Sequence, residues 1–313
     1  VEVSGKQNLS FRAKVDTLAP HGRTGTLLLD PNDITIVDND GGTPTNGSYG
    51  GSPWQFDANG DPSTVGWNTL VDALLLTDVN VTTSDGSITV GADQTYYSTN
   101  SLYLLAGGNL NAAGRTVTNT GDGDIMLVAG WDSITGIGAG ALPYATAGYG
   151  SIVASGSSFT THGGNFTAKA SDSITLGSIT TDGSYSGSVG GDVFIQALNG
   201  TLSVASISAK GADGSYYGYT GGNGGSVTLS AYSGLTVGSG GINASGGNGY
   251  SHYAGYAGGD GGNVSITSQI GNIAVNGNIF SNGGDGGNGD YGNPGYDGGN
   301  GGNGGDITLA SGT

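Results

Sequence analysis

The amino-acid sequence predicts an all-β chain: a right-handed parallel β-helix with three strands per coil and Gly/Tyr-rich loops along one edge. Three observations carry that prediction. One alternating apolar run recurs as DVFIQALNGTLSVASISAKG, SVTLSAYSGLTVGSGGINASG and NVSITSQIGNIAVNGNIFSNG, and begins again as GGDITLASG. The steps between Val193, Val227, Val264 and Ile307 are 34, 37 and 43 residues, and all the variation falls in one Gly/Tyr/Asn loop. A fixed core with an elastic corner is the mark of stacked strand coils. Val, Ile and Thr also recur at every second position, as in strands with one buried face.

Composition excludes several other classes. The 67 glycines among 313 residues lie far above the usual roughly 7%. With no strict Gly-x-y period and only 7 prolines, collagen is excluded. Charged residues make up 10% of the chain, whereas disordered chains lean on charge or proline and lack β-branched alternation. The net charge of −17, from 24 acidic against 7 basic residues, would repel a nucleic-acid backbone. There is no cysteine, so neither disulfide staples nor thiol chemistry can be invoked. No apolar run approaches the roughly 18 residues of a membrane span. Val1 opens without Met on strand-like material (VEVSG, NLSFRA), which reads as a processed piece of a longer precursor.

Residues 1–79 read as an irregular N-terminal region of strands with one short helix, packed on or continuing the solenoid. TLLLDPNDITIVD (26–38) reads as strand, Asp-Pro-Asn-Asp turn, strand. STVGWNTLVDALLL (63–76) reads as the helix, with Val65, Trp67, Leu70, Val71, Leu74 and Leu75 at spacings near 3.6 and Ser63 or Thr64 as its cap. Residues 80–313 read as the solenoid with lengthening Gly-rich insertions. First strands centre on Phe166, Val193, Val227 and Val264, second strands on Ile174, Leu202, Leu235 and Ile273, and third strands on Ile179, Ile207, Ile242 and Ile279. The pattern leaves both ends of the repeat open, with the chain breaking off in mid-coil at GGDITLASGT. Corners of such a coil favour Gly, Asn and Asp, which tolerate positive φ and close neighbours.

The loop after the third strand grows from 14 to 20, 22 and 28 residues and repeats one phrase: GYTGGN, GYAGGD, GYDGGN. Stacking of the coils is expected to bring Tyr219, Tyr256 and Tyr296 to one edge with Asn223, Asp260 and Asn300. Three readings stand side by side. The tyrosines cover glycine backbone and pack loop on loop, they form a contact with another chain, or they grip a sugar ring with Asn and Asp beside them. The near-triplet glycine rhythm of 283–306 suggests extended polyglycine helices with glycine inward and Asn, Asp or Tyr outward. Asp285, Asp290, Asp297 and Asp306 are the candidate calcium ligands there, although the nonapeptide calcium-loop pattern is not kept. No enzymatic activity is expected. The three histidines (His21, His162 and His252) lack ligand spacing, Glu2 is the sole glutamate, and nearly every Asp neighbours Gly or Asn in a turn.

The phrases GTLLLDPNDITIVD (25–38), LLLTDVNVTTSDGSITV (74–90) and SLYLLAGGNLNAAG (101–114) resemble the solenoid passenger region of filamentous-haemagglutinin-like exoproteins of bacterial two-partner secretion. The resemblance implies a right-handed β-helix at the bacterial cell surface or released from it, acting in adhesion, aggregation or biofilm-matrix formation. The expected partners are further copies, stacked head-to-tail or laterally into fibres, or a cell-surface glycan.

Overall fold

The computed structural model describes residues 2–4, 28–30, 33–39, 47–50, 54–58, 63–131, 149–215, 219–251, 255–289 and 297–312. Its body is a parallel β-helix of two long sheets. In the first sheet, strands Val79–Thr83, Leu102–Ala106, Ile125–Ala129, Phe166–Ala170, Val193–Ala197, Val227–Ala231, Val264–Ser268 and Ile307–Ser311 stack in chain order, each parallel to the next. Phe166, Val193, Val227, Val264 and Ile307 fall in one register column, as the repeat predicts. The predicted second and third beats also hold their columns: Ile174–Leu202–Leu235–Ile273 and Ile179–Ile207–Ile242–Ile279. In the middle coils those two beats are halves of one bent strand, Ile174–Thr180, Leu202–Ser208 and Leu235–Asn243, and all belong to the second sheet. The register shifts between Val204 and Ser206, where Leu235–Asn243 carries extra residues and Gly241 adopts φ 69°. That bend turns the chain without ending the strand.

Alternation places Ile, Leu and Val inside. Ile195, Leu229, Ile266, Leu202, Val204 and Val237 are all buried in one continuous core. Neighbouring strands lie about 4.8 Å apart, so each apolar side chain packs on its equivalents above and below. Burying each of these side chains is worth roughly 1.5–3 kcal/mol.

The N-terminal region continues both sheets. Trp54–Ala58 extends the first sheet beside Val79–Thr83, and Gly47–Gly50 pairs antiparallel on its far side. In the second sheet Ile34–Val37 lies between Ile88–Val90 and Ser63–Gly66. The helix α1 is therefore shorter than predicted, Trp67–Leu74. Ser63 and Thr64 are strand residues, and Gly66 occupies the cap with no side-chain hydrogen bond. Pairing with Ile34–Val37 and burial of Val65 outweigh one capping bond, and Thr64 and Val65 are β-branched residues that suit a strand.

α1 packs against the core beside Gln94–Tyr96. Among the described residues Gln94–Tyr96 has one strand neighbour, Thr116–Asn119, and Trp67 stacks on Tyr96 with ring centroids 6.4 Å apart. Trp67 Nε1 donates to Ala92 O at 3.0 Å, and Trp67, Leu70 and Leu74 are buried in the core. Ser98 Oγ and Asn100 Nδ2 both donate to Leu74 O at 2.8 Å, satisfying the helix C-terminus. Ile307 and Leu309 in the last coil are 46% and 50% exposed.

Leu229→Ala is expected to cost about 2–5 kcal/mol, because a stacked ladder cannot collapse into the cavity. Urea unfolding of the two proteins measures it, and a loss within experimental error would show that the ladder is not a packed core.

Candidate functional site

The ridge formed by the Gly-rich loops is the feature with the most chemistry. Each loop leaves the third strand, runs outward, turns and returns to the first strand of the next coil. Its two legs are joined by backbone bonds at every third residue. The first loop has Gly191 N–H to Thr181 O, and the second has Gly225 to Ala209 and Gly222 to Ala212. The third has Gly262 to Ala244, Gly259 to Gly247 and Tyr256 to Tyr250, and the fourth has Gly305 to Ser281, Gly302 to Gly284 and Gly299 to Gly287. A three-residue period with extended backbone is the polyproline-II geometry in glycine. It holds in the described legs of the second and third loops as well as in 283–289 and 297–306 of the predicted stretch.

The Gly-Gly-Asx triplets of the returning legs have a division of labour. A Cβ on the first glycine would meet the following coil: Gly221 meets Gly247 O at 1.8 Å and Gly258 meets Gly284 O at 2.1 Å. A Cβ on the second would meet the preceding coil: Gly222 meets Ser188 O at 1.9 Å and Gly259 meets Gly222 O at 2.0 Å. None of these glycines has positive φ. Of the two roles expected of glycine at the corners, positive φ and close neighbours, these legs use the second.

The third residue faces solvent and reaches along the stack. Asn223 Oδ1 accepts from Asp260 N–H at 2.8 Å, and Asp260 Oδ1 accepts from Asn303 N–H at 2.6 Å and from Asn303 Nδ2 at 3.1 Å. A second column runs Asp213, Asn248, Asp285, with each side-chain oxygen accepting the next backbone N–H at 2.7 and 2.8 Å. The same device precedes the first-sheet strands. Asp78 accepts from Ser101 N–H, Asp124 from Asn165, Asn165 from Asp192, Asp192 from Ser226, and Asn263 from Asp306, at 2.7–2.8 Å. Sequence reasoning singled out Asn223 and Asp260 beside the tyrosines and Asp285 and Asp306 as calcium candidates, and treated the other column residues as turn formers. Their signal is an Asp, Asn or Ser directly before each strand.

In these columns no two Asp are adjacent, because neutral Asn or Ser separates them. Two unit charges one coil apart, about 4.8 Å, would repel by roughly 1 kcal/mol even in bulk water. Burial, with Asp78 two coils away and Asp122 adding like charge, raises the Asp124 pKa above its ordinary 3.8 against the lowering effect of the Asn165 hydrogen bonds.

The predicted site residues are placed as follows. Tyr219 is 51% exposed, and Tyr256 is half-buried. The 37-residue step that sets Asn223 on Asp260 sets Tyr219 on Tyr256. Tyr219 also lies over the preceding loop, with its Cδ1 3.6 Å from where a Cβ of Gly187 would stand. Tyr296 lies outside the described residues, and the position stacked on Tyr256 is Gly299, whose Cβ would meet Tyr256 O at 2.1 Å. The third member of the Asn223–Asp260 column is Asn303 rather than Asn300, which instead accepts from Gly258 N–H through its backbone carbonyl. Of the calcium candidates, Asp290 lies outside the described residues, and Asp285, Asp297 and Asp306 are exposed. Among the described residues no three His, Asp or Glu side chains come together as a metal site.

Compared with family models, with curated proteins and with solved structures, the chain matches none. What stands is a repetitive parallel β-solenoid in which no helix among the described residues is long and apolar enough to cross a membrane.

Two outcomes follow. Asp192→Asn keeps the acceptor for Ser226 N–H and should leave thermal stability unchanged, whereas Asp192→Ala should lose about 1 kcal/mol. Equal melting of the two would show the bond to be idle. A raised folded-state pKa means that folded Asp124 binds its proton more tightly than unfolded Asp124, so its contribution is most favourable below the unfolded pKa. That contribution is lost as pH rises through the folded value. Asp124→Asn should therefore be at least as stable as wild type at pH 7 and show a flatter stability profile just above pH 4, read by denaturant titration across that range.

Proposed function

We propose that the chain is a structural and adhesive extracellular protein, a subunit or segment of a bacterial surface fibre, adhesin or biofilm-matrix filament, with no enzymatic activity. The observation that carries this reading is the employment of its polar side chains. The Asp, Asn and Ser oxygens of the columns accept amides of the next coil, so groups that elsewhere build a reactive site here maintain length. The phrases resembling filamentous-haemagglutinin-like exoproteins support the same reading. The partners proposed are further copies, stacked head-to-tail in a heterologous contact that gives an open filament, or joined laterally. Electron microscopy of the purified chain at rising concentration is expected to show rods that associate into fibres. Uniform single rods at every concentration would sink the fibre reading.

A second reading has its own observation. Tyr219 is half exposed on the ridge edge, in the returning leg that carries Asn223, as an aromatic platform for a sugar would require. A glycan array with wild type and the Tyr219→Ala/Tyr256→Ala variant tests it. Binding by wild type and at least tenfold loss in the variant would support a glycan-binding edge, and no binding, or unchanged binding, would return both tyrosines to packing.

A further inference from the structure

The triplet rhythm of the ridge makes glycine follow asparagine, as at Asn223–Gly224 and Asn248–Gly249. Glycine is required there for close approach: a Cβ on Gly224 would stand 2.0 Å from Ala244 O, and one on Gly249 1.9 Å from Tyr256 O. The missing side chain also leaves the glycine nitrogen unshielded beside the side-chain carbonyl of the asparagine. In such a pair that nitrogen, once its proton has passed to hydroxide, attacks Cγ of the asparagine. The N–Cγ bond forms, the Cγ–Nδ2 bond breaks, and ammonia leaves with a proton taken from water, so that a five-membered succinimide remains. Water then opens the ring at one carbonyl or the other. The product is aspartate, or an isoaspartate whose backbone runs through Cγ.

In the stacked ridge a single residue of the next coil holds both reacting groups. Asp260 N–H donates to Asn223 Oδ1 at 2.8 Å, and Asp260 O accepts from Gly224 N–H at 2.8 Å. Asp285 does the same for the other pair, donating to Asn248 Oδ1 at 2.8 Å and accepting from Gly249 N–H at 2.8 Å. Ring closure needs the glycine nitrogen swung over the asparagine side chain, far from the ψ of roughly +145° in a polyproline-II leg. That rotation breaks both bonds to the next coil, so the pair reacts only where that coil has let go. Both asparagines are exposed, and water has access for the second step. The products do not fit the closed ridge. Isoaspartate inserts a methylene into the backbone of a leg whose bonds recur at every third residue. Conversion of Asn248 to aspartate puts like charge beside both Asp213 and Asp285, its neighbours in the column.

We propose that Asn223–Gly224 and Asn248–Gly249 are self-modification sites kept closed by the stacking of the next coil, with water as the co-reactant and ammonia as the leaving group. Opening of the ridge starts the reaction, and the product keeps the ridge from closing again, so a transient opening becomes a lasting one. The sites belong to the ridge of a single chain and do not depend on the fibre reading.

The full chain is incubated at mildly alkaline pH in a rising guanidinium series. Deamidation of each pair is read by mass spectrometry of proteolytic peptides, beside hydrogen exchange of the Gly224 and Gly249 amides. Deamidation is expected to be at least tenfold slower in the native chain than in the unfolded one, and to rise in step with exchange of the pair's own glycine amide. A second arm uses Gly259→Ala, whose methyl would meet Gly222 O at 2.0 Å and force the second and third loops apart. Deamidation at Asn223 in native buffer should rise at least tenfold in that variant, and the guanidinium series stands without it if the variant does not fold. After return to native buffer, chains modified at Asn223 should keep fast exchange at Gly224, whereas unmodified chains regain protection. Equal rates in native and unfolded chains, or rates that do not follow glycine exchange, would overturn the clamp. Full recovery of protection at Gly224 in modified chains would overturn the lasting opening.

Discussion

Coil spacing is the constraint from which the rest of this molecule follows. Strands hydrogen-bonded in parallel sheets stand about 4.8 Å apart, and every segment between two strands must stack at that same interval. In the sheets the interval suits Ile, Leu and Val, whose side chains point along the sheet normal and pack on their equivalents. In the ridge there is no sheet normal to use, because each leg has neighbours on several sides. A side chain directed at a neighbour would hold the legs apart and tear the ridge from the sheets, so glycine occupies those positions and only the third residue of each triplet may be large.

The ridge is consequently ordered without an apolar core of its own. Its stability rests on backbone hydrogen bonds, each worth about 0.5–1.5 kcal/mol net, set against the high conformational entropy that glycine loses on folding. The balance is tenable because the base of every loop is clamped to the solenoid, as at Gly225 N–H to Ala209 O and Gly262 N–H to Ala244 O. Growth of the loops from 14 to 20 and from 22 to 28 residues adds six residues, one triplet per leg, whereas the step from 20 to 22 adds two.

Charge is handled within the same geometry. A chain of net charge −17 stacked at this spacing would accumulate repulsion if its carboxylates were in line. The columns avoid this by alternation: Asp213–Asn248–Asp285 and Asn223–Asp260–Asn303 each separate their acids with an amide that accepts the same kind of bond. The arrangement disperses these carboxylates rather than pairing them.

The sequence by itself determined the solenoid, its register columns and the elastic position of the loop. Periodicity of two along the strand and the recurrence of Val193, Val227 and Val264 are local signals that stacking preserves. It also indicated the polyglycine legs of 283–306 from their triplet rhythm. Other features depended on partners remote in sequence. Ser63 reads as a helix cap until Ile34–Val37 is placed beside it, and α1 reads as an accessory until Trp67 is seen filling the place of a strand over Tyr96. Asn300 and Tyr296 read as the third steps of their ladders because the phrase GYDGGN matches. The longer last loop shifts the phase by one triplet, and the columns pass instead through Asn303 and Gly299. Matching words in a sequence identify a motif, but which words touch is decided by the clamp at the loop's base, and that exists only once the coils are stacked.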